Sequence, residues 1–233
     1  MKLIAIDTST EACSAAILDG ETVLERFEIA RQSHTELILP MIDSLLKESG
    51  YAIQQFDAIA FGRGPGSFTG IRIGTGVVQG LALGAGLAVA PVSSLAAIAQ
   101  GVFRCEGRKN VLAAIDARMK EIYWGCYQLN DQGMMESVQD ECVAKADSLS
   151  VPVGSSKWFG AGTAWSAYEQ ELLALFGETV SGHDGCCLPH ARDIAVLAAE
   201  QVKRNELVSV ENVEPVYLRN EVAWKKIRSQ LPG

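Results

Sequence analysis

Residues 61–76 have the sequence FGRGPGSFTGIRIGTG, a glycine-rich turn that joins an apolar strand to a helix. Gly64 and Gly66 permit backbone conformations that a side chain would forbid, and Pro65 fixes one φ between them. The turn lacks the Gly-Lys-Ser/Thr ending of a P-loop and the third glycine of a dinucleotide fingerprint. Backbone amides at the start of the following helix can still take an anion. A structural turn that feeds a packed helix explains the glycines equally well.

The helix after this turn carries a stripe of glycines. Gly76, Gly80 and Gly84 recur every four residues, so they share one helix face. Each interior glycine costs about 1 kcal/mol relative to alanine, and close packing against another backbone would offset that cost. The stripe therefore predicts a helix face that another element approaches closely.

The rest of the chain predicts a duplicated α/β fold. The first half has the pattern of three strands, a helix over residues 33–49 with a Ser33–Glu36 capping box, a strand, the glycine turn with its helix, and another strand and helix. Residues 111–129 repeat the strand pattern of residues 3–18. We expect two β-β-β-α-β-α type halves with a cleft between them, an N-terminal subdomain over 1–107 and a more irregular one over 108–233.

An acid and two hydroxyls follow the first strand, as Asp7-Thr8-Ser9. This group can hold a metal-bound phosphate, although such residues also make ordinary polar β-turns. The repeat has Asp116-Ala117-Arg118, without the hydroxyls, so a phosphate cleft would be asymmetric. A second glycine turn at Gly160–Thr163 completes the candidate anion site. The residues of the whole candidate anion site are Asp7, Thr8, Ser9, Gly64, Gly66 and Gly162.

Composition restricts the classes of function. The chain has 233 residues, of which 20 are basic and 28 acidic. The resulting net charge of −8 disfavours direct binding to nucleic acid. Its six cysteines form no Cys-x-x-Cys motif, which favours reduced thiols over a disulfide framework or zinc site. Asp7 comes too early for a signal peptide, and the apolar run 77–90 is shorter than the roughly 18 residues of a membrane span. We expect a cytoplasmic protein without a membrane segment.

The histidines predict no metal site. A two-histidine pair on a helix needs positions i and i+4, and the residue four after His34 is Ile38. His183 and His190 lie in an irregular stretch with Asp184 and two cysteines, where a solvated loop is favoured over a metal site.

Four stretches resemble the TsaB (formerly YeaZ) family: Asp7–Thr10, Ser33–Glu36 with Pro40, the run Gly62–Gly74, and Pro215–Arg219. The resemblance spans nearly the whole chain. It implies the duplicated fold of the actin-like ATPase superfamily and a role in forming N6-threonylcarbamoyladenosine at position 37 of tRNAs that read A-starting codons. It also implies a subunit that is not itself catalytic and that activates the paralogous transferase TsaD. TsaD carries a two-histidine metal motif where this chain has His34 and Ile38.

The resemblance further implies partners and an interface. TsaD is the expected heterodimer partner, TsaE joins the complex, the chain alone forms a homodimer, and tRNA is met only through the complex. No cofactor is intrinsic, with ATP or ADP expected at most at the complex interface. An ATPase or kinase of the same superfamily is the alternative. The predicted interface consists of His34, Leu37, Ile38, Met41, Leu45, Arg72, Ile73, Gly76, Val77, Gly80 and Gly84.

Overall fold

The first half is built on a five-stranded sheet. The computed structural model describes residues 1–30, 32–154 and 157–219. The strands of this sheet are β1 (Lys2–Asp7), β2 (Ala12–Asp19), β3 (Thr22–Ile29), β4 (Ala58–Gly62) and β5 (Val89–Val92). Their order is β3-β2-β1-β4-β5, with β1, β2 and β3 antiparallel and β4 and β5 parallel to β1. A hairpin turn at Asp19-Gly20 joins β2 to β3, and Gly20 there has a φ of 61°.

The second half repeats this arrangement. Its strands are β6 (Asn110–Asp116), β7 (Ile122–Leu129), β8 (Met135–Ser137), β9 (Cys142–Ala144), β10 (Trp158–Ala161) and β11 (Val180–Asp184). The order β11-β10-β6-β7-β8 matches the first sheet strand for strand, and β9 also pairs with β7. As in the first sheet, the first three strands, β6, β7 and β8, pair antiparallel, and β10 and β11 run parallel to β6. The predicted duplication is therefore confirmed.

The described residues contain six α-helices. They are α1 (His34–Ser49), α2 (Phe68–Ala85), α3 (Ser94–Glu106), α4 (Ala164–Ala167), α5 (Glu169–Phe176) and α6 (Ala191–Lys203). Helices α4 and α5 are separate and meet at Tyr168, whose φ of −130° breaks the helical path. None of the helices in the described ranges combines the length and apolarity that crossing a bilayer requires.

The capping box predicted at the start of α1 is wrong. Ser33 has φ −96° and ψ 18°, outside the extended region that an N-cap residue uses, and its side chain makes no capping hydrogen bond. The start of α2 does have a cap, because Ser67 is extended and its hydroxyl accepts a hydrogen bond from the Gly70 amide. Glycines in the left-handed conformation end α1 and α2, at Gly50 and Gly86.

Packing crosses the predicted boundary between residues 107 and 108. Helix α6, from the second half of the chain, packs its apolar face on the first sheet through residues such as Ile194 and Ala198. Helix α3, from the first half, packs mainly on the second sheet through Ile98 and Val102. The boundary falls between α3 and β6, but each half supplies a helix to the other. The division into 1–107 and 108–233 stays a prediction, and residues 220–233 lie outside the described part of the chain.

Candidate functional site: the cleft and the helix-pair groove

A cleft of about 940 Å³ opens between the two halves. One wall comes from the turn after β1 and the start of α2, and the other from the end of β6, the adjoining turn and the start of α4. The residues that carry polar or aromatic groups into it include Ser9, Thr10, Ser67, Phe68, Asp116, Arg118, Tyr123, Thr163 and Arg219. The cleft predicted from the duplication is therefore present, at the carboxyl ends of the central strands.

Asp7 lies beneath the cleft and does not line it. Its side chain is 1% exposed, and Ser9 supplies hydrogen bonds at 3.0 Å from both its amide and its hydroxyl. Burial raises the pKa of Asp7 from 3.8 to about 7, against the opposing effects of the Ser9 hydrogen bonds and of the nearby His190. Because the buried Asp7 carboxyl group does not line the cleft, it makes no contact with the space where a metal-bound phosphate would lie. The role predicted for Asp7 does not fit this geometry.

The glycine turn packs directly on the backbone after β1. A Cβ atom at Gly66 would lie 2.1 Å from the Ser9 carbonyl oxygen, and one at Gly70 would lie 2.0 Å from that of Thr8. Two hydrogen bonds fix this contact: the Ser67 amide donates to the Ser9 carbonyl at 2.7 Å, and the Thr8 hydroxyl donates to the Gly70 carbonyl at 2.7 Å. Glycine is needed here because two backbone segments touch.

The predicted anion-site residues therefore separate into two groups. Ser9 and Gly66 border the cleft. Asp7 and Thr8 point into the packed contact, and Gly64, with a φ of 99°, packs on the side chain of Ile71. In the second half, the Cβ of a side chain at Gly162 would meet the Ala114 carbonyl at 2.3 Å. These four residues, Asp7, Thr8, Gly64 and Gly162, lie in packed contacts within the walls and do not face the cavity.

The second wall of the cleft is held by Asp116. Its carboxylate accepts hydrogen bonds from the Arg118 amide at 2.8 Å and the Tyr168 hydroxyl at 2.9 Å, and its own amide donates to the Thr163 hydroxyl. Hydrogen bonding and the charge of Asp116 add to burial in raising the pKa of Tyr168. The carboxylate is thus engaged within its own half, as that of Asp7 is in the first.

His34 serves the fold of the first half. It is 6% exposed, and its Nε2 lies 2.8 Å from the Thr10 carbonyl and 3.2 Å from that of Ala12. Because carbonyl oxygens only accept, Nε2 must carry the proton. The imidazole therefore joins the start of α1 to the start of β2. Among residues 1–30, 32–154 and 157–219, no cluster of three or more His, Cys, Asp or Glu side chains is arranged for a metal ion.

The other histidines and the cysteines lie away from the cleft. His183 stacks on Trp165 and pairs with Glu169, whereas His190 stacks on Phe27 and contacts Glu25. All six cysteines fall within the described residues and are unpaired thiols.

A second concavity, the helix-pair groove, separates α1 from α2. It has a volume of about 470 Å³ and is lined by Thr35, Leu39, Arg72, Ile73, Gly76, Val77, Gly80 and Leu81. No atom lies within 4 Å of a Cβ built at Gly76, Gly80 or Gly84, so the glycine stripe faces outward. Leu39 and Leu83 beside it are 51% and 72% exposed. The helix pair thus presents an apolar, side-chain-poor surface to solvent.

Several residues of α1 that were predicted to lie at the interface are not part of this outer surface. His34, Ile38, Met41 and Leu45 are buried against the chain's own first sheet, so the part of the interface prediction that gave them to a partner does not hold in this conformation. Their spacing is that of a core stripe. Leu37 is partly buried and packs on the same core. The predicted residues of α2, namely Arg72, Ile73, Gly76, Val77, Gly80 and Gly84, remain available on the outer face or its edge.

Thr35 and Leu39 were missed from sequence. Both lie on the outer face of α1, out of phase with the core stripe. The signal that could have found Leu39 is a leucine that breaks this periodicity and precedes Pro40.

The chain resembles known proteins over its whole length. It is 44% identical to the Escherichia coli "tRNA threonylcarbamoyladenosine biosynthesis protein TsaB", with 100% of this chain and 99% of the relative aligned. The chain belongs to the TsaB family. The Haemophilus influenzae relative of the same name is 41% identical over 100% of this chain and 98% of its own. A family model described as "TsaD: tRNA N6-adenosine threonylcarbamoyltransferase" matches residues 26–227.

A solved structure has the same fold. The solved structure of YeaZ from Pseudomonas aeruginosa superposes with a TM-score of 0.85 at 46% identity, covering 93% of this chain and 99% of its own. Together with the TsaD family match, this agrees with the duplicated actin-like architecture that the resemblance implied.

Proposed function

We propose that this chain is the non-catalytic subunit that pairs with the transferase TsaD during formation of N6-threonylcarbamoyladenosine at position 37 of tRNAs that read A-starting codons. The names of the TsaB relatives support a role in this pathway. The family model supports kinship with the transferase itself.

The observation that carries the pairing is the outward-facing helix-pair groove. An exposed apolar groove with a glycine floor suits a helix from a second protein, because two backbones can approach closely where side chains are absent. A paralogue with the same fold has the same two helices, so a four-helix contact between the two proteins follows from the shared architecture. A second copy of this chain can occupy the groove in the same way when TsaD is absent.

The state of Asp7 supports the absence of catalysis by this chain. The carboxyl group is buried, is held by Ser9 and does not line the cleft. Asp116 is engaged by Arg118 and Tyr168. Asp7 is therefore kept from the base or metal-ligand position that phosphoryl transfer requires, and Asp116, which does line the cleft, is held by hydrogen bonds within its own half.

The remaining assignments follow from this role. With a net charge of −8, the subunit would meet tRNA through the complex and not through its own surface. TsaE would join the pair, ATP or ADP would bind at the complex interface, and the whole assembly would act in the cytoplasm, where tRNAs are modified.

Reconstitution tests the proposal. The family resemblance implies a further enzyme, TsaC, that makes the threonylcarbamoyl-adenylate. Purified TsaC, TsaD and TsaE, with tRNA, threonine, bicarbonate and ATP, are assayed for the modified nucleoside with and without this chain. We expect modification to depend on the chain, and TsaD to co-elute with it on size exclusion. Full modification without the chain would contradict the proposal, as would a failure of TsaD to bind it.

An ATPase or kinase is the second candidate, and the cleft is the observation that favours it. The cavity of about 940 Å³ has the size of a small-ligand site, and hydroxyls from Ser9, Thr10 and Thr163 reach it. Calorimetry with ATP and an assay of ATP turnover on the chain alone separate the two proposals. Tight binding with turnover would favour the enzyme.

A further inference from the structure

Residues 213–219, called the strap below, join the two halves across the mouth of the cleft. At one end Val213 is buried in the core of the first half, and its carbonyl accepts a hydrogen bond from Gln79 of α2 at 3.0 Å. Further along, the Val216 amide donates to the Arg63 carbonyl in the glycine turn at 2.9 Å. At the other end, Arg219 lines the cleft and reaches the second half.

The far end of the strap holds an unusual turn. Arg118, Met119 and Lys120 all have positive φ, of 63°, 59° and 64°. Three successive non-glycine residues in the left-handed region are disfavoured and persist only where surrounding contacts hold them. Arg219 makes such contacts at both ends of the turn, donating to the Ala117 carbonyl at 3.1 Å and pairing with the carboxylate of Glu121.

The middle of the strap touches the helix-pair groove. The Tyr217 hydroxyl accepts a hydrogen bond from Nε of Arg72 at 2.9 Å. The Arg72 guanidinium also lies 3.6 Å from the centre of the Phe68 ring, and Arg72 itself lines the groove. One side chain therefore contacts both the surface where a partner would sit and the segment that holds the rim of the cleft.

We propose that Arg72 and the strap couple occupancy of the helix-pair groove to the opening of the cleft. A partner helix in the groove competes for the Arg72 guanidinium, the one charged group that lines the groove among the described residues. A partner with an acidic or aromatic side chain opposite Arg72 therefore fits best. Loss of the Arg72–Tyr217 hydrogen bond loosens the strap. Because Arg219 belongs to the strap, its contacts with the turn at residues 117–121 are then lost, and the turn is freed. The identity of the occupant rests on the proposed function, whereas the coupling is a property of this chain alone.

Hydrogen exchange followed by NMR tests the coupling on the isolated chain, at a concentration where size exclusion shows a monomer, so that no second copy fills the groove. The reporters are the amides of Ala117 and Glu121, which bond to the Glu121 and Arg118 carbonyls within the turn. An Arg219→Ala variant removes the contact with the turn, and we expect exchange there to rise at least about threefold. Arg72 lies in the other half of the chain. A rise in exchange of the turn amides in Arg72→Ala or Tyr217→Phe, equal to or smaller than the rise in Arg219→Ala, would therefore demonstrate transmission along the strap.

Two controls make the result specific. Thr35→Ala alters the groove wall, and Thr35 has no hydrogen bond to the strap among the described residues, so it should leave the reporters unchanged. Core amides such as Ile4 and Leu112 report global unfolding, and a rise shared by them counts against the coupling. The coupling is overturned if Arg72→Ala and Tyr217→Phe leave the turn amides at wild-type rates.

Addition of TsaD separates this inference from the proposed function. If TsaD binds, exchange at Ala117 and Glu121 should change in the wild type and not in Tyr217→Phe. Binding without that difference overturns the coupling and leaves the proposed pairing intact. A TsaD that does not bind contradicts the pairing, and the experiment on the chain alone still decides the coupling.

Discussion

Ser9 holds the carboxylate of Asp7 with its amide and its hydroxyl, each at 3.0 Å, beneath the floor of the cleft. The Ser9 hydroxyl in turn accepts a hydrogen bond from Ser94 at the start of α3 at 2.8 Å. Asp7 therefore belongs to a buried polar network that ties β1 to α3. In this position the acid contributes to the fold and is removed from any ligand in the cleft.

Asp7→Asn should change the pH dependence of stability. The folded pKa of about 7 lies above the ordinary value of 3.8, so the folded state binds a proton that the unfolded state has lost, and stability falls as the pH rises between these values. A shift of this size corresponds to a loss of up to about 4 kcal/mol at pH 8, as an upper bound. Urea unfolding at pH 5, 6, 7 and 8 should show the variant gaining stability relative to wild type as the pH rises. A constant difference would contradict the pKa shift.

Two glycines of the same helix should respond in opposite ways to alanine. Gly70→Ala places a methyl group 2.0 Å from the Thr8 carbonyl, so we expect a loss of roughly 3 kcal/mol or more, since the backbone there must move. Gly80→Ala is the matched control. Its Cβ meets no atom within 4 Å, and helix propensity predicts a gain of about 0.5–1 kcal/mol. Urea unfolding of both variants measures the difference, and equal effects would contradict the close contact.

Gly80→Leu tests the helix-pair groove as a docking surface. The bulky side chain projects into solvent in the isolated chain, so the fold should survive, but it fills the floor on which a partner helix would sit. We expect TsaD affinity to fall at least about tenfold, measured by calorimetry or co-elution. Gln170→Leu on the exposed face of α5 adds the same side chain away from the groove and should bind normally. Wild-type affinity in Gly80→Leu would show that the partner docks elsewhere.

Local signals were enough to predict most of the fold. Strands and helices of both halves follow from periodicity, and glycines such as Gly50 end helices where expected, because these signals act over a few residues. The exchange of α3 and α6 between the sheets was not predicted. It depends on contacts between residues far apart in sequence, such as Ile194 with the strands of the first half. No local pattern distinguishes an apolar helix face that packs on the sheet of its own half from one that packs on the sheet of the other half.

The candidate site was predicted less completely for a related reason. Asp7 and Ser9 were identified as polar residues after a buried strand, yet their mutual hydrogen bonds and burial are consequences of tertiary packing. His34 and Met41 were assigned to the interface from the family resemblance, and apolar spacing alone cannot say which stripe of α1 meets the sheet. Arg219 was noted only as part of a motif, and its reach to Glu121 joins residues far apart in the chain.

The pair Arg104–Asp193 should contribute most among the ion pairs to stability, because it joins the two exchanged helices. The guanidinium donates two hydrogen bonds of 2.8 Å to a carboxylate that is 1% exposed, and these bonds raise the pKa of Arg104. Arg104→Met keeps the aliphatic packing but leaves the Asp193 carboxylate buried without its partner. We expect a loss of about 3 kcal/mol by urea unfolding, since an uncompensated buried charge is costly.

The matched control for this variant is Arg204→Met, which breaks the exposed pair with Glu136. Both of those side chains are about half exposed, at 45% and 49%, and such pairs contribute on the order of 0.2–1 kcal/mol. If the two variants lose equal stability at neutral pH, the contact between α3 and α6 rests on apolar packing alone, and the halves are held together without the ion pair.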